Sequence, residues 1–293
     1  MNGHSYVLWG KIMLLKVIMR QTKFLLKQKE AVLTMIILLW LIASTYLENV
    51  LYFRGLDVSQ MYHPMKLLTL SYNRVNHSAS ISLLLVMIYP ILVTLPAGFA
   101  YVKEQQTKEE VLLMSRIGKT NYLSGKLWSA FFTTAIVFFI PFSLEIIMNC
   151  ISFPLKAQCD LTNLSIYSAE YADIVHGYFG SSVYIISPIL YALLGTVFFS
   201  ILSGILGMLT VAVSFVFKVK YRVFLFLPNF LALHITSYWD KTRTSEEIRT
   251  SWYEYMLLFG ESRRSVWYLA TGTAVIVLLV FCLYFAGRKK ERW

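Results

Sequence analysis

Three sets of residues in this 293-residue chain have types that chemistry uses, and each lacks the spacing that the chemistry needs. Gly118-Lys119-Thr120 matches the end of a phosphate-binding loop, where backbone amides cradle the phosphates and the lysine neutralises them. That loop requires a glycine five positions before Gly118, and Leu113 stands there. Glu109-Glu110 is an acid pair of the Glu-Glu-x-x-x-Arg kind that activates water in intramembrane peptidases, but the sixth position is Met114. His234 is the one histidine inside an apolar run, and metal or general-base chemistry needs partners beside it. The expectation is a chain with no catalytic residue, no metal site and no nucleotide site of its own. An intramembrane peptidase-like enzyme is the alternative, and it would need a second polar cluster at matching depth.

The elements that must position any site are set by composition. Hydrophobic residues make up 57% and charged residues 15%, which is the balance of a polytopic membrane protein. In lipid every backbone polar group must be satisfied internally, so runs of roughly 17–25 apolar residues read as spanning helices. Six are found, at 31–47, 81–100, 127–148, 183–217, 223–238 and 265–286. The fourth would reach roughly 50 Å as one helix. A hairpin near Gly204 and Gly207 would have no polar turn, so one long helix is expected.

Charge orients the spans. Of the 27 lysines and arginines, 18 fall on one side: 6 in the N-terminal arm, 5 in the segment 101–126, 3 at 218–222 and 4 in the tail. By the positive-inside rule that side is the cytoplasm, with both termini inside. The net charge of +11 therefore reflects anionic lipid and orientation, and nucleic acid is not an expected partner. The expected localisation is a plasma membrane, crossed several times.

Within the arm 1–30, Lys16, Arg20, Lys23 and Lys27 recur at spacings of 4, 3 and 4, which makes one basic helical face. An amphipathic elbow helix lying in the interface is expected there. Outside, 48–80 reads as a small, partly helical cap limited by Pro64, and 149–182 as irregular. The segment 239–264, with Trp252, Tyr253, Tyr255, Met256, Leu257, Leu258 and Phe259, reads as an amphipathic or re-entrant element. Cys150 and Cys159 share the second of these loops, where a disulfide is chemically allowed; two unpaired thiols are the expectation, because sequence does not measure their separation.

The most informative stretch is the charged amphipathic segment 101–126 between two apolar runs. Thr107 followed by Glu110 has the form of a capping box, and Gly118 that of a C-terminal cap, so the pattern predicts a helix over 108–117. Ten residues do not hold a helix in isolation, so this one must pack on something: headgroups or a protein partner.

An acidic cluster after the second span, a short apolar helix, then Ser-Arg, a basic turn, Tyr and Gly-Lys entering the third span resembles the coupling-helix region of type-2 ABC exporter (ABC-2) permeases. The elbow helix, six spans, internal termini and long outer loop before the last span are similar too, so the likeness covers nearly the whole chain. The resemblance implies an all-α, six-span permease working as a dimer, with a second copy or a paralogue. Two cytoplasmic ATPase subunits would carry ATP and magnesium, with no cofactor on this chain. It further implies that Glu104, Glu109 and Glu110 form the acidic entry of the ATPase contact, Leu112 and Leu113 the seated apolar face, and Ser115, Arg116, Tyr122 and Lys126 the exit. Gln106 stands where the family often has glycine. The implied cargo is hydrophobic or amphipathic, with a peptide such as a toxin or bacteriocin preferred; a channel or sensor subunit is a further alternative.

Three features in the spans complete the reading. Phe226, Phe230, His234 and Tyr238 recur every four residues as one stripe, which would face either a translocation pathway or packed lipid and protein. Ser200, Ser203, Gly204 and Gly207 suit close helix contact, within one subunit or between two. Glu145 lies near the outer end of its run, where a carboxylate is expected to reach water.

Overall fold

The computed structural model describes residues 3–56, 63–71, 79–155, 179–217, 221–241, 248–259 and 264–290, with side chains in the first helix from residue 14 onward. The described residues are helical: α1 (Gly3–Leu26), α2 (Lys29–Phe53), α3 (Ala79–Gln106), α4 (Glu109–Ile117), α5 (Lys119–Ser152), α6 (Ser181–Ile186), α7 (Pro188–Val216), α8 (Leu227–Lys241), α9 (Trp252–Met256) and α10 (Val266–Lys289). Five of them, α2, α3, α5, α7 and α10, are long and apolar enough to cross a bilayer. The chain is an all-helical, multi-pass membrane protein.

Two expected runs form differently. The run 183–217 is interrupted at Ser187, whose extended backbone and hydroxyl cap the start of α7 by accepting from the Leu190 N–H at 3.3 Å. Pro188 follows at the first position, where its missing N–H costs nothing. The run is thus one spanning helix preceded by the short α6, and no hairpin forms at Gly204. The run 223–238 divides into a 3-10 turn at Arg222–Phe226 and the 15-residue α8, short of the roughly 20 residues an α-helix needs to cross.

The core is built on α5 against α7. A Cβ at Gly204 would stand 3.0 Å from the Phe131 carbonyl oxygen, and one at Gly207 would stand 2.5 Å from Thr134 Oγ1. The small-residue cluster is therefore consumed in packing within the chain. Tyr89 of α3 closes the layer, its hydroxyl 2.8 Å from Ser203 Oγ and its ring against Phe138 and Phe199.

The bundle has two chemically distinct ends. At the basic end, Lys119 Nζ donates to the Lys290 carbonyl, Lys290 Nζ donates to the Val216 carbonyl, both at 2.7 Å, and Arg222 donates to Gln106 Oε1 at 2.9 Å. Helix α1 lies on α5 nearby: Gly125 admits Val17 and Gln21, Thr22 and Leu25 are buried, and Lys16, Arg20, Lys23 and Lys27 are exposed.

At the far end, residues 63–71 are buried throughout, and the Leu258 N–H donates to the Leu70 carbonyl at 2.7 Å. The described parts of the two outer segments, residues 63–71 and 248–259, thus meet at the mouth of the bundle. Pro64 begins a 3-10 turn there, Pro64–Leu67. Glu145 is 1% exposed, and its Oε1 accepts from the Thr69 N–H at 2.6 Å and the Thr69 hydroxyl at 2.7 Å. The expected water contact is overturned, because the carboxylate serves as the acceptor that fastens the buried segment 63–71. Cys159 and most of the loop 149–182 lie outside the described residues, and the question of its pairing with Cys150 lies there with them.

Candidate functional site

Helix α4 stands apart from the rest of the molecule because none of its residues is buried. It begins one residue later than expected, and the capping box does not form. Lys108 takes a left-handed backbone (φ 58°) with no side-chain cap, while the Thr107 hydroxyl turns back to the Lys103 and Glu104 carbonyls of α3 at 3.1 and 3.3 Å. The sharp turn into α4 is thus made at Lys108, with no glycine at 106. Its other end follows expectation: Gly118 has φ 84°, and its N–H donates to the Met114 carbonyl at 2.9 Å. A positive φ is open to glycine without a Cβ penalty.

The nine residues of the expected contact set divide by which way they face. Glu109, Leu112, Ser115 and Arg116 are exposed, with Leu112 at 65% and its neighbour Val111 at 49%. Leu113 is half-buried and packs with Met114 against the core, so the outward apolar pair is Val111 and Leu112 rather than Leu112 and Leu113. Glu110 is half-buried and accepts from the Tyr101 hydroxyl at 3.4 Å.

Glu104, Tyr122 and Lys126 face inward. Lys126 Nζ lies 2.5 Å from Glu104 Oε1, and the Tyr122 hydroxyl donates to Glu104 Oε2 at 2.8 Å. All three are buried, at 7% exposure for Glu104, 0% for Tyr122 and 3% for Lys126. They offer nothing to an outside partner; they clamp the end of α3 to the start of α5 directly behind α4. A buried pair in which each carboxylate oxygen accepts a hydrogen bond resists separation, because parting it strands a charge. Gln105 extends the clamp to α7 by donating to the Ser214 carbonyl at 3.0 Å.

The aromatic stripe on α8 is partly assembled. Phe230 and His234 stack with ring centroids 3.8 Å apart, Phe226 meets Phe230 edge-on at 6.0 Å, and Tyr253 approaches His234 edge-on at 5.9 Å. His234 Nδ1 lies 3.1 Å from the Phe230 carbonyl, an acceptor, so the bond requires the proton on Nδ1. Phe226 and Phe230 are half-buried, His234 and Tyr238 exposed, and His234 and Tyr238 border a shallow depression of about 490 Å³ with Ile235 and Trp239. The stripe makes an outward aromatic surface. The packed face, next to the stripe, carries Leu225 of the 3-10 turn and Asn229, Leu233 and Asp240 of α8. Asn229 donates to Thr94 Oγ1 of α3 at 3.1 Å and Thr210 Oγ1 of α7 at 2.8 Å.

Comparison with family models, curated proteins and solved structures finds no match for this chain.

Two functional features escaped the sequence reading. The clamp joins residues 18 and 22 positions apart, and no local periodicity marks such a pair. The burial of the Arg264 side chain, only 2% exposed, is equally silent at the end of a segment that reads as an amphipathic or re-entrant element. Burial holds its guanidinium below the ordinary arginine value, with Glu254 opposing that shift.

Proposed function

We propose that this chain is the membrane-spanning subunit of an ATP-driven exporter, and that α4 is the handle by which a separate cytoplasmic ATPase moves it. One observation carries the reading: a nine-residue helix with no buried residue, bearing exposed Val111 and Leu112, is braced by the Glu104–Tyr122–Lys126 clamp. A helix of that length is marginal in water. An exposed apolar pair rimmed by Glu109 and Arg116 suits a cleft in a soluble partner. The clamp makes α3 and α5 move as one when the handle is pushed.

Connectivity supports six crossings. Helix α7 ends at the basic end and α10 begins at the far end, so the chain must return between them. The 3-10 turn Arg222–Phe226 is bonded to Gln106 at one end, and Thr236 and Asp240 meet Thr250 at the other. At about 2.0 Å per residue in the turn and 1.5 Å in α8, the pair extends about 30 Å, the thickness of a bilayer core. The basic end is then cytoplasmic, both termini are inside, and α1 is an elbow helix with its basic face toward headgroups.

In this mechanism ATP binding closes two ATPase subunits, drives the two handles of a permease dimer together, and shifts the spans from inward to outward access with no covalent step. The cargo is an apolar or amphipathic molecule, best a peptide, and the α8 stripe of Phe226, Phe230, His234 and Tyr238 is the surface that meets it. The test is co-purification with a soluble ATPase from the native host. Leu112→Asp is expected to abolish recovery of the ATPase while leaving the permease folded. Equal recovery with the variant would overturn the docking role.

A further inference from the structure

At the far end, remote from α4, a cavity of about 170 Å³ lies between α7 and residues 255–258, with Phe179, Tyr191, Leu194, Phe198, Tyr255 and Arg264 in its lining. For its size, a dry apolar cavity of ~150 Å³ accommodates benzene. The Arg264 side chain is 2% exposed. Its Nη1 donates to the Leu257 carbonyl at 2.7 Å, while Nε and Nη2 have no hydrogen-bond partner. Glu254 Oε2 stands 3.9 Å from Nη2, an ion pair beyond hydrogen-bond reach.

Nε and Nη2 share one edge of the guanidinium plane, the edge that grips a carboxylate or phosphate with two parallel N–H···O bonds. That edge makes no hydrogen bond, and the Glu254 carboxylate reaches Nη2 only as a long ion pair at 3.9 Å, so each donor still carries a desolvation penalty. We propose that this cavity binds the head of an anionic amphiphile, with its carboxylate or phosphate on the Nε/Nη2 edge of Arg264 and its first carbons among the aromatic walls.

The surroundings favour a lipid-like tail over a peptide. Leu194, part of the wall, is 49% exposed, and Leu190 at 43% and Ile201 at 43% continue an outward apolar track along α7. That helix is one of the five able to cross a bilayer, so a tail leaving the cavity along it meets hydrocarbon. Arg264 lies two residues before the start of α10, another of the five helices able to cross a bilayer. The site is independent of the transport reading, and its test does not involve α4 or any ATPase.

The experiment is native mass spectrometry of the full chain in nonionic detergent, incubated separately with palmitoyl-oleoyl phosphatidylglycerol, the matching phosphatidylcholine, oleate, inorganic phosphate, or an apolar peptide with a free C-terminus. Basic residues at the opposite end also attract anionic lipid, so the readout is the Arg264-dependent adduct. The wild type retains phosphatidylglycerol or oleate, and which of the two survives tells phosphate from carboxylate. Arg264→Gln is expected to lower that retention about tenfold or more. Arg264→Gln also weakens the tie to Leu257, so Val183→Trp, which fills the cavity from another lining position and leaves the guanidinium in place, is measured beside it with the same expected loss. Equal adducts in wild type and both variants, equal retention of phosphatidylcholine, or retention of bare phosphate or of the peptide alone would each overturn the assignment.

Discussion

Removing Lys126 should cost the fold more than any surface change on α4, and the size of the loss follows from the clamp. Glu104 presents two oxygens, one 2.5 Å from Lys126 Nζ and one accepting from Tyr122 at 2.8 Å, in a site where the two charged side chains are only 9% and 3% exposed. Lys126→Met strands the carboxylate with a single neutral donor, which costs about 3–5 kcal/mol. Tyr122→Phe removes one hydrogen bond to a charged acceptor and costs about 1.5–3 kcal/mol. Glu104→Gln combined with Lys126→Met removes both charges yet keeps an acceptor for Tyr122, so the double variant recovers about 2 kcal/mol of the single loss. Equilibrium unfolding in mixed micelles, run on the wild type, Lys126→Met, Tyr122→Phe, Glu104→Gln and the double variant, measures these losses and closes the Glu104–Lys126 cycle. A Lys126→Met protein as stable as wild type, or a double variant no better than the single, would show that the pair is not the element joining α3 to α5.

Leu112→Asp should change stability by no more than about 0.5 kcal/mol, since the position is 65% exposed, and this is read in the same unfolding assay. Glu145→Leu leaves the buried Thr69 N–H and hydroxyl without their acceptor and is expected to cost about 1–3 kcal/mol for each, whereas Glu145→Gln, which keeps a carbonyl oxygen, costs less; limited proteolysis of the segment 63–71 checks the difference. Gly204→Val drives new carbons toward the Phe131 backbone oxygen and should destabilise by about 1–3 kcal/mol or more in the unfolding assay, with loss of folded yield. Gly118→Ala, at φ 84°, strains the hinge between α4 and α5 by about 1 kcal/mol and should raise exchange of the α4 amides in hydrogen-exchange measurements.

The spanning helices were legible because hydrocarbon imposes length and apolarity on any segment that crosses it. Helix α4 was legible from Glu109 to its glycine stop for the same kind of local reason. What failed was local chemistry overridden by neighbours. Thr107 has the capping partner it needs at Glu110, yet its hydroxyl finds the last carbonyls of α3, because Lys108 reverses the chain. Glu145 sits near a helix end that faces water in an isolated span, and it is buried because a distant loop folds over it. Of the expected contact residues, exposure separates Leu112, Glu109, Ser115 and Arg116 from Glu104, Tyr122 and Lys126, a division that depends on which helices meet and leaves no periodic mark in the chain. The buried guanidinium of Arg264 belongs to the same class, since the cavity walls beside it come from α7, from residues 179 and 183 and from residues 255–258.

The most direct measurement of the handle's role is photo-crosslinking in native membranes, with benzoyl-phenylalanine placed at exposed position 112 and, as a control, at buried position 123. The account predicts a covalent adduct from position 112 to a soluble protein that hydrolyses ATP, and none from position 123. Illumination that yields only lipid adducts at position 112, while the same membranes export cargo on ATP, would contradict it.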